Sequence, residues 1–222
     1  MSLSELTPYL QRLLDLYDEK RKRFQWSFSL LLVGAIAFFF LVFFPYMTLL
    51  GNLVACRSTQ NECPPVESSI LAERFTGVTT SWGNIPISTA EVVMLFPLLV
   101  AVGLAAVSAQ LIGLMRLRLA IRKQLSSLDP QIDVPLIAPI LLDPKRGILD
   151  LLAGGAALTF PPILGLFSTN LIFVRLSDLR QNLPYAQSTL FYNTLYTFSA
   201  ILMLVSLARV ALQLLQNYRY QK

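Results

Sequence analysis

The sequence predicts an all-α integral membrane protein: a four-helix transmembrane bundle with an N-terminal amphipathic cytoplasmic helix. Three observations predict it. Four long runs are apolar and almost free of charge. Charged residues are 14% of the chain, where soluble domains carry about 25%, and mean hydropathy is +0.58. Of the 18 Lys and Arg, fourteen fall on one side if the chain crosses four times with both ends on that side.

Residues 1–25 hold Leu10, Leu13, Leu14 and Tyr17 at helical spacing, with Thr7-Pro8 as an N-cap followed by proline at the first helical position. An amphipathic helix here is expected to lie on the inner leaflet or on the protein's own cytoplasmic loop. A docking helix for a partner is the other reading. The run Lys20-Arg21-Lys22-Arg23 closes the segment. It holds that end in the cytoplasm.

The first span is residues 26–50, which contain no charge. At 1.5 Å per residue this length crosses the roughly 30 Å hydrocarbon core. Trp26 and Tyr46 stand near its two ends, where aromatic belts form, and Pro45 is late enough to bend only the last turn.

Residues 51–88 form the first outer loop and carry both cysteines, Cys56 and Cys63. On an oxidising side a disulfide between them is expected, as a structural staple. A redox relay would require a C-x-x-C pair and a second cysteine pair, which the chain lacks. An alternative takes Leu53-Val54-Ala55-Cys56 as a lipobox, with cleavage before Cys56. The basic and apolar regions ahead of it are much longer than the ~15–30 residues of a signal peptide. Phe75 to Ser88 alternates β-formers with turn residues and reads as a short strand, a hairpin or a surface segment. Ser88-Thr89-Ala90-Glu91 is a capping box that starts the next helix, so Ser88 and Glu91 are assigned to the cap rather than to an ion site.

Residues 89–125 form the second span with a cytoplasmic extension. Pro97 is expected to kink it, and Gly103, Ala106 and Ala109 offer a small-residue face. Arg116, Arg118, Arg122 and Lys123 suit both the helix C-terminus and the inner leaflet. Residues 126–147 are a Pro-rich cytoplasmic loop whose apolar centre must be covered. Pro135, Leu136, Ile137, Pro139 and Ile140 are the expected partner contact.

The third span, residues 148–174, is Gly-rich and bent by Pro161-Pro162. An outer loop, 175–190, leads to the fourth span, 191–216, and a cytoplasmic tail, 217–222. Asn193, Tyr196 and Thr197 in that span read as one polar face, most simply interhelical glue. Asp150 and Arg209 are expected at similar depth on neighbouring helices, as an intramembrane ion pair.

These features exclude more than they select. The chain has no His, so the commonest general base and metal ligand is missing. No catalytic residue, metal site or cofactor is assigned, and the net charge of +5 is explained by topology and lipid headgroups rather than nucleic acid. The expected function is a non-enzymatic multi-pass subunit, scaffold or assembly factor of a larger membrane complex. Its expected partners are the lipid bilayer and a membrane protein or further copies of itself. A small oligomeric channel or transporter is the alternative, favoured by the bent third span and the polar outer half of the fourth. The expected location is a bacterial inner or thylakoid-type membrane, N-in and C-in.

If Asp150 pairs with Arg209, Asp150→Asn lowers thermal stability in detergent more than Asp133→Asn does. Equal losses for the two variants would rule the pair out.

Overall fold

The computed structural model describes residues 8–48, 51, 78–80, 83–85, 89–128, 148–182 and 189–219. They form helix α1 (Pro8–Phe38), continued by a π-helical turn (Phe39–Phe43) and more α-helix to Thr48. Two short strands follow, β1 (Val78–Thr80) and β2 (Gly83–Ile85). Then come α2 (Thr89–Leu128), α3 (Ile148–Asn182) and α4 (Thr189–Arg219). Four stretches are long and apolar enough to cross a membrane: Pro8–Thr48, Val92–Leu125, Leu152–Val174 and Phe191–Gln216.

The boundaries differ from the sequence expectation in instructive ways. Residues 8–25 are not a separate amphipathic helix. α1 runs through the 25/26 boundary without a break, because no Gly or Pro stands between Pro8 and Gly34. α2 extends to Leu128, and α3 continues past 174 to Asn182, so the expected outer loop is helical over its first half. α2 begins at Thr89, directly after the expected cap residue. Ser88 and the Glu91 side chain lie outside the described residues. In addition to the helices there is one short pair of strands among the described residues. β1 and β2 pair antiparallel with Thr80 opposite Gly83 and Val78 opposite Ile85, which selects the hairpin from the readings open for this segment.

The chain divides into two compact units. One comprises Met1–Leu32, Gly103–Pro161 and Leu202–Lys222; the other comprises Val33–Val102 and Pro162–Ile201.

In the first unit, Leu10, Tyr17 and Phe24 recur every seven residues along α1 and are buried, Tyr17 to 1% exposure. Leu13 and Leu14 are half-buried. The protein itself covers this face, which excludes a helix whose apolar side rests on the leaflet alone. Its neighbour is α2. Gln110 Nε2 donates to Ser27 Oγ at 3.5 Å, and Gly103 stands beside Leu31. Later residues of α1 thus meet earlier residues of α2, so the pair is antiparallel. The missing Cβ at Gly103 makes the approach possible: one placed there would stand 2.7 Å from Leu31 Cδ1. Of the small-residue face expected on α2, Gly103 is the member that faces a helix, whereas Ala106 and Ala109 are exposed.

The second unit is built on aromatic rings. Phe38 stacks on Phe96 with centroids 4.8 Å apart, Phe39 on Phe43 at 5.5 Å, and Phe43 lies 5.7 Å from Phe96. Phe39 also meets Phe167 of α3 at 6.0 Å. Aromatic pairs of this kind contribute ~0.5–1.5 kcal/mol each beyond area burial.

The π turn has a physical reason. Ala35, Phe39, Phe43 and Met47 are all buried and recur every four residues. In an ideal α-helix each such step rotates the side chain by ~40°, so three steps would carry Met47 ~120° off the face. Widening one turn absorbs that drift. The Phe44 N–H donates to the Phe39 carbonyl, five residues back. Pro45 follows at once; it has no N–H to give, and its ring would crowd the carbonyl of Leu41 in a regular helix. The π turn thus stands just ahead of Pro45, where the sequence predicts a bend.

Gly103→Val is expected to destabilise the protein by ~1–3 kcal/mol, the usual cost of overpacking. Gly34→Val meets open space and loses far less. Adding Leu31→Ala to Gly103→Val should recover part of the loss. Thermal unfolding in one detergent compares the four proteins.

Candidate functional site

An apolar helix leaves a hydroxyl few partners, and most here turn to their own backbone. Thr159 Oγ1 donates to the Gly155 carbonyl at 3.0 Å, Ser168 Oγ to Leu164 at 2.7 Å, Thr169 Oγ1 to Gly165 at 2.9 Å, Ser199 Oγ to Leu195 at 2.8 Å and Ser206 Oγ to Leu202 at 2.7 Å. Each bond closes one helical turn and needs no second helix. Polar groups outside this scheme are therefore the ones to examine. Besides the exposed Asn170 of α3 and the unpartnered Gln110 Oε1 of α2, they gather in two places.

The first is the N-terminal half of α4, in the second unit. Asn193, Thr194, Thr197, Phe198 and Ile201 line a shallow surface cleft of about 480 Å³. The single polar face expected from Asn193, Tyr196 and Thr197 is split. Asn193 and Thr197 are exposed, while Tyr196 points inward and is fully buried. At ~100° per residue, Tyr196 and Thr197 stand on opposite flanks of Asn193, so neighbours in sequence face different surroundings. The Tyr196 ring meets Phe173 edge-on at 5.5 Å and stacks with Tyr192 at 6.3 Å. Its hydroxyl has no hydrogen-bond partner.

The second place is a groove in the first unit, between α2 and α4. Its volume is about 250 Å³. Ser108 and Ser206 are its buried serines, and Ala105, Ala109 and Gly113 keep it open on the α2 side. Leu202 and Val205 supply apolar wall from α4. Two arginines reach it, Arg116 from α2 and Arg209 from α4. Ser206 spends its proton on Leu202. Ser108 is 3% exposed, and its Oγ has no partner. Arg116 and Arg209 both belong to exposed positions, and neither forms a salt bridge among the described residues.

The sequence reading placed Arg209 against Asp150. The Asp150 side chain lies outside the described residues, so Arg209 is seen here through the groove alone. Also outside are Cys56 and Cys63 with the lipobox-like residues, and Pro135, Leu136, Ile137, Pro139 and Ile140 of the cytoplasmic loop. The α2–α4 groove itself was not foreseen. The spacing Ala105-Ala109-Gly113 at i, i+4, i+8 was visible. What it lacked was a reason to associate that file with Ser206 and Arg209 on another helix. Among the described residues, no three His, Cys, Asp or Glu gather as a metal site would require.

Tyr196→Phe removes a buried hydroxyl that bonds to nothing, so it is expected to be neutral or stabilising by up to ~1–2 kcal/mol. Tyr196→Ala opens a cavity and should cost ~3–5 kcal/mol. A loss of comparable size in Tyr196→Phe, read by thermal unfolding, would mean that the hydroxyl has a partner. No family model matches the chain, and neither a curated protein nor a solved structure matches it.

Proposed function

We propose that the protein is a non-enzymatic subunit of a larger membrane complex, an integral four-helix bundle that joins a partner helix through the outer half of α4. One observation carries this reading: an amide and a hydroxyl, Asn193 and Thr197, stand exposed beside Phe198 and Ile201 on a helix otherwise suited to hydrocarbon. Lipid tails offer such groups no hydrogen bond. A neighbouring helix does, and polar side chains at helix interfaces are worth ~0.6–2 kcal/mol each. The adjoining cleft would admit side chains from that helix.

In this reading the chain is inserted N-in and C-in. The bias of Lys and Arg supports that orientation. The Asp150–Arg209 pair and the Cys56–Cys63 disulfide belong to the same proposal. So does the contact at Pro135, Leu136, Ile137, Pro139 and Ile140, as a second, cytoplasmic touching point. A bacterial inner or thylakoid-type membrane is the proposed location.

A second reading rests on the same residues. If the partner is another copy of the chain, Asn193 and Thr197 would line the seam between copies, and a pore with a polar outer mouth would result.

The test is purification in a gentle detergent from native membranes, followed by mass spectrometry of the intact species. A defined partner at fixed stoichiometry is expected, and Asn193→Leu with Thr197→Leu should release it. The double variant keeps its own stability within ~0.5 kcal/mol, since both positions lie on the surface. A homo-oligomer that carries ions across liposomes would replace the subunit reading with the channel. A monomer unaffected by the double variant would refute both.

A further inference from the structure

We infer that the groove between α2 and α4 is a binding site for an anionic phospholipid, with the headgroup phosphate on Arg116 and Arg209 and the start of an acyl chain along Ala109, Gly113 and Val205. The inference rests on the membrane reading above, and it is independent of any protein partner at the outer half of α4.

Four features of the groove converge. Charge comes first. Two guanidinium groups from different helices line one groove, and among the described residues no carboxylate pairs with either. Arginine presents several N–H donors in a planar fork that matches a phosphodiester, and it keeps its charge in apolar surroundings. A carboxylate from Asp150 would not exhaust the five donors of Arg209. Second, Ser108 lines the same groove, is almost wholly buried, and has a hydroxyl without a partner. The other buried serine of the groove bonds back to its helix, so Ser108 is the exception in need of an acceptor. A phosphate or glycerol oxygen is such an acceptor.

Shape is the third feature. The groove opens to the outside of its unit, because Ala109, Gly113, Val205 and Arg209 are all exposed. A Cβ added at Gly113 would meet nothing within 4 Å. The space is therefore not reserved for packing of the bundle. At about 250 Å³ it suits a headgroup with the first part of a chain rather than a whole lipid. Fourth is position. Arg116 and Arg209 lie towards the C-terminal ends of apolar helices, where basic pockets between membrane helices hold anionic headgroups. A free phosphate would use the arginines but not the apolar wall of Val205 and Leu202.

The full chain is purified from membranes in a mild detergent, stripped of lipid, and titrated separately with phosphatidylglycerol and phosphatidylcholine. Bound lipid is read by native mass spectrometry. Wild type is expected to retain one phosphatidylglycerol with at least about tenfold preference over phosphatidylcholine. Arg116→Gln with Arg209→Gln should abolish the preference. Gly113→Leu keeps both arginines, gains helix propensity and fills open space, and should weaken retention by about tenfold. Gly34→Leu is equally unobstructed and lies outside the groove, so it should bind as wild type does. Three results would overturn the assignment: no preference in wild type, unchanged binding in Gly113→Leu, or an equal loss in Gly34→Leu. Displacement of the lipid by an equal concentration of inorganic phosphate would assign the groove to a free anion instead. Failure to recover the chain from the membrane fraction would refute the membrane reading itself, a separate outcome seen before any titration.

Discussion

The structure depends on one constraint: in a helix surrounded by apolar atoms, every polar group must find its partner inside the protein. The chain meets it in the most local way available. Backbone bonds are closed by long helices, and Ser and Thr hydroxyls are closed by carbonyls of the same helix, as at Thr159, Ser168, Thr169, Ser199 and Ser206. Because this local solution is so uniform, departures from it carry information. Ser108 and Tyr196 are buried without hydroxyl partners, and Asn193 and Thr197 are exposed on an apolar helix. Tyr196 departs within an aromatic cluster that supplies packing in place of a hydrogen bond. The other three have no such compensation, and they fall in the two places proposed for a ligand and a partner helix.

Much of the helical plan was legible in the sequence, because apolar length is a direct signal. The four apolar stretches lie where the runs predicted, and α2 starts at Thr89, directly after the residue expected as its cap. Legibility failed where the answer depended on a neighbour. The break at residue 25 was inferred from a change of charge, but the covalent helix has no reason to stop there. Leu10 and Tyr17 were assigned to an amphipathic face with Leu13 and Leu14; they are buried in a seven-residue file with Phe24, and Leu13 and Leu14 are half-buried beside it. The π turn was hidden for another reason. Pro45 was visible, and so were Ala35, Phe39, Phe43 and Met47, yet a strict four-residue repeat signals π widening only once all four are known to be buried on one side.

The two units solve the packing problem with different materials. In one, Phe38, Phe39, Phe43, Phe96 and Phe167 fill space with large rings, and Pro97 is buried beside Phe96. In the other, Gly103 brings α1 and α2 close through absence of a side chain, and the core is largely aliphatic with Tyr17 and Phe24. Small residues allow close approach only where a partner side chain fills the space they leave. Leu31 does so at Gly103. Nothing does so at Gly113, and the same residue type therefore makes a tight contact at one position and an open groove ten residues later.

That contrast bears on how the arginines are read. A Lys or Arg near the end of an apolar helix is sufficiently explained by topology. Orientation in a membrane is indifferent to the choice between the two residue types and to whether a given charge has a neighbour of the same sign. Arg116 and Arg209 are distinguished by the groove they share. Both are guanidinium groups, and they line one groove although they come from helices more than 60 residues apart in sequence. Like charges that line one groove repel. A shared anion reverses the sign of that interaction. The open groove at Gly113 and the idle hydroxyl of Ser108 are then parts of the same arrangement, since each supplies what a phosphate bearing an acyl chain requires and a bare topology signal does not.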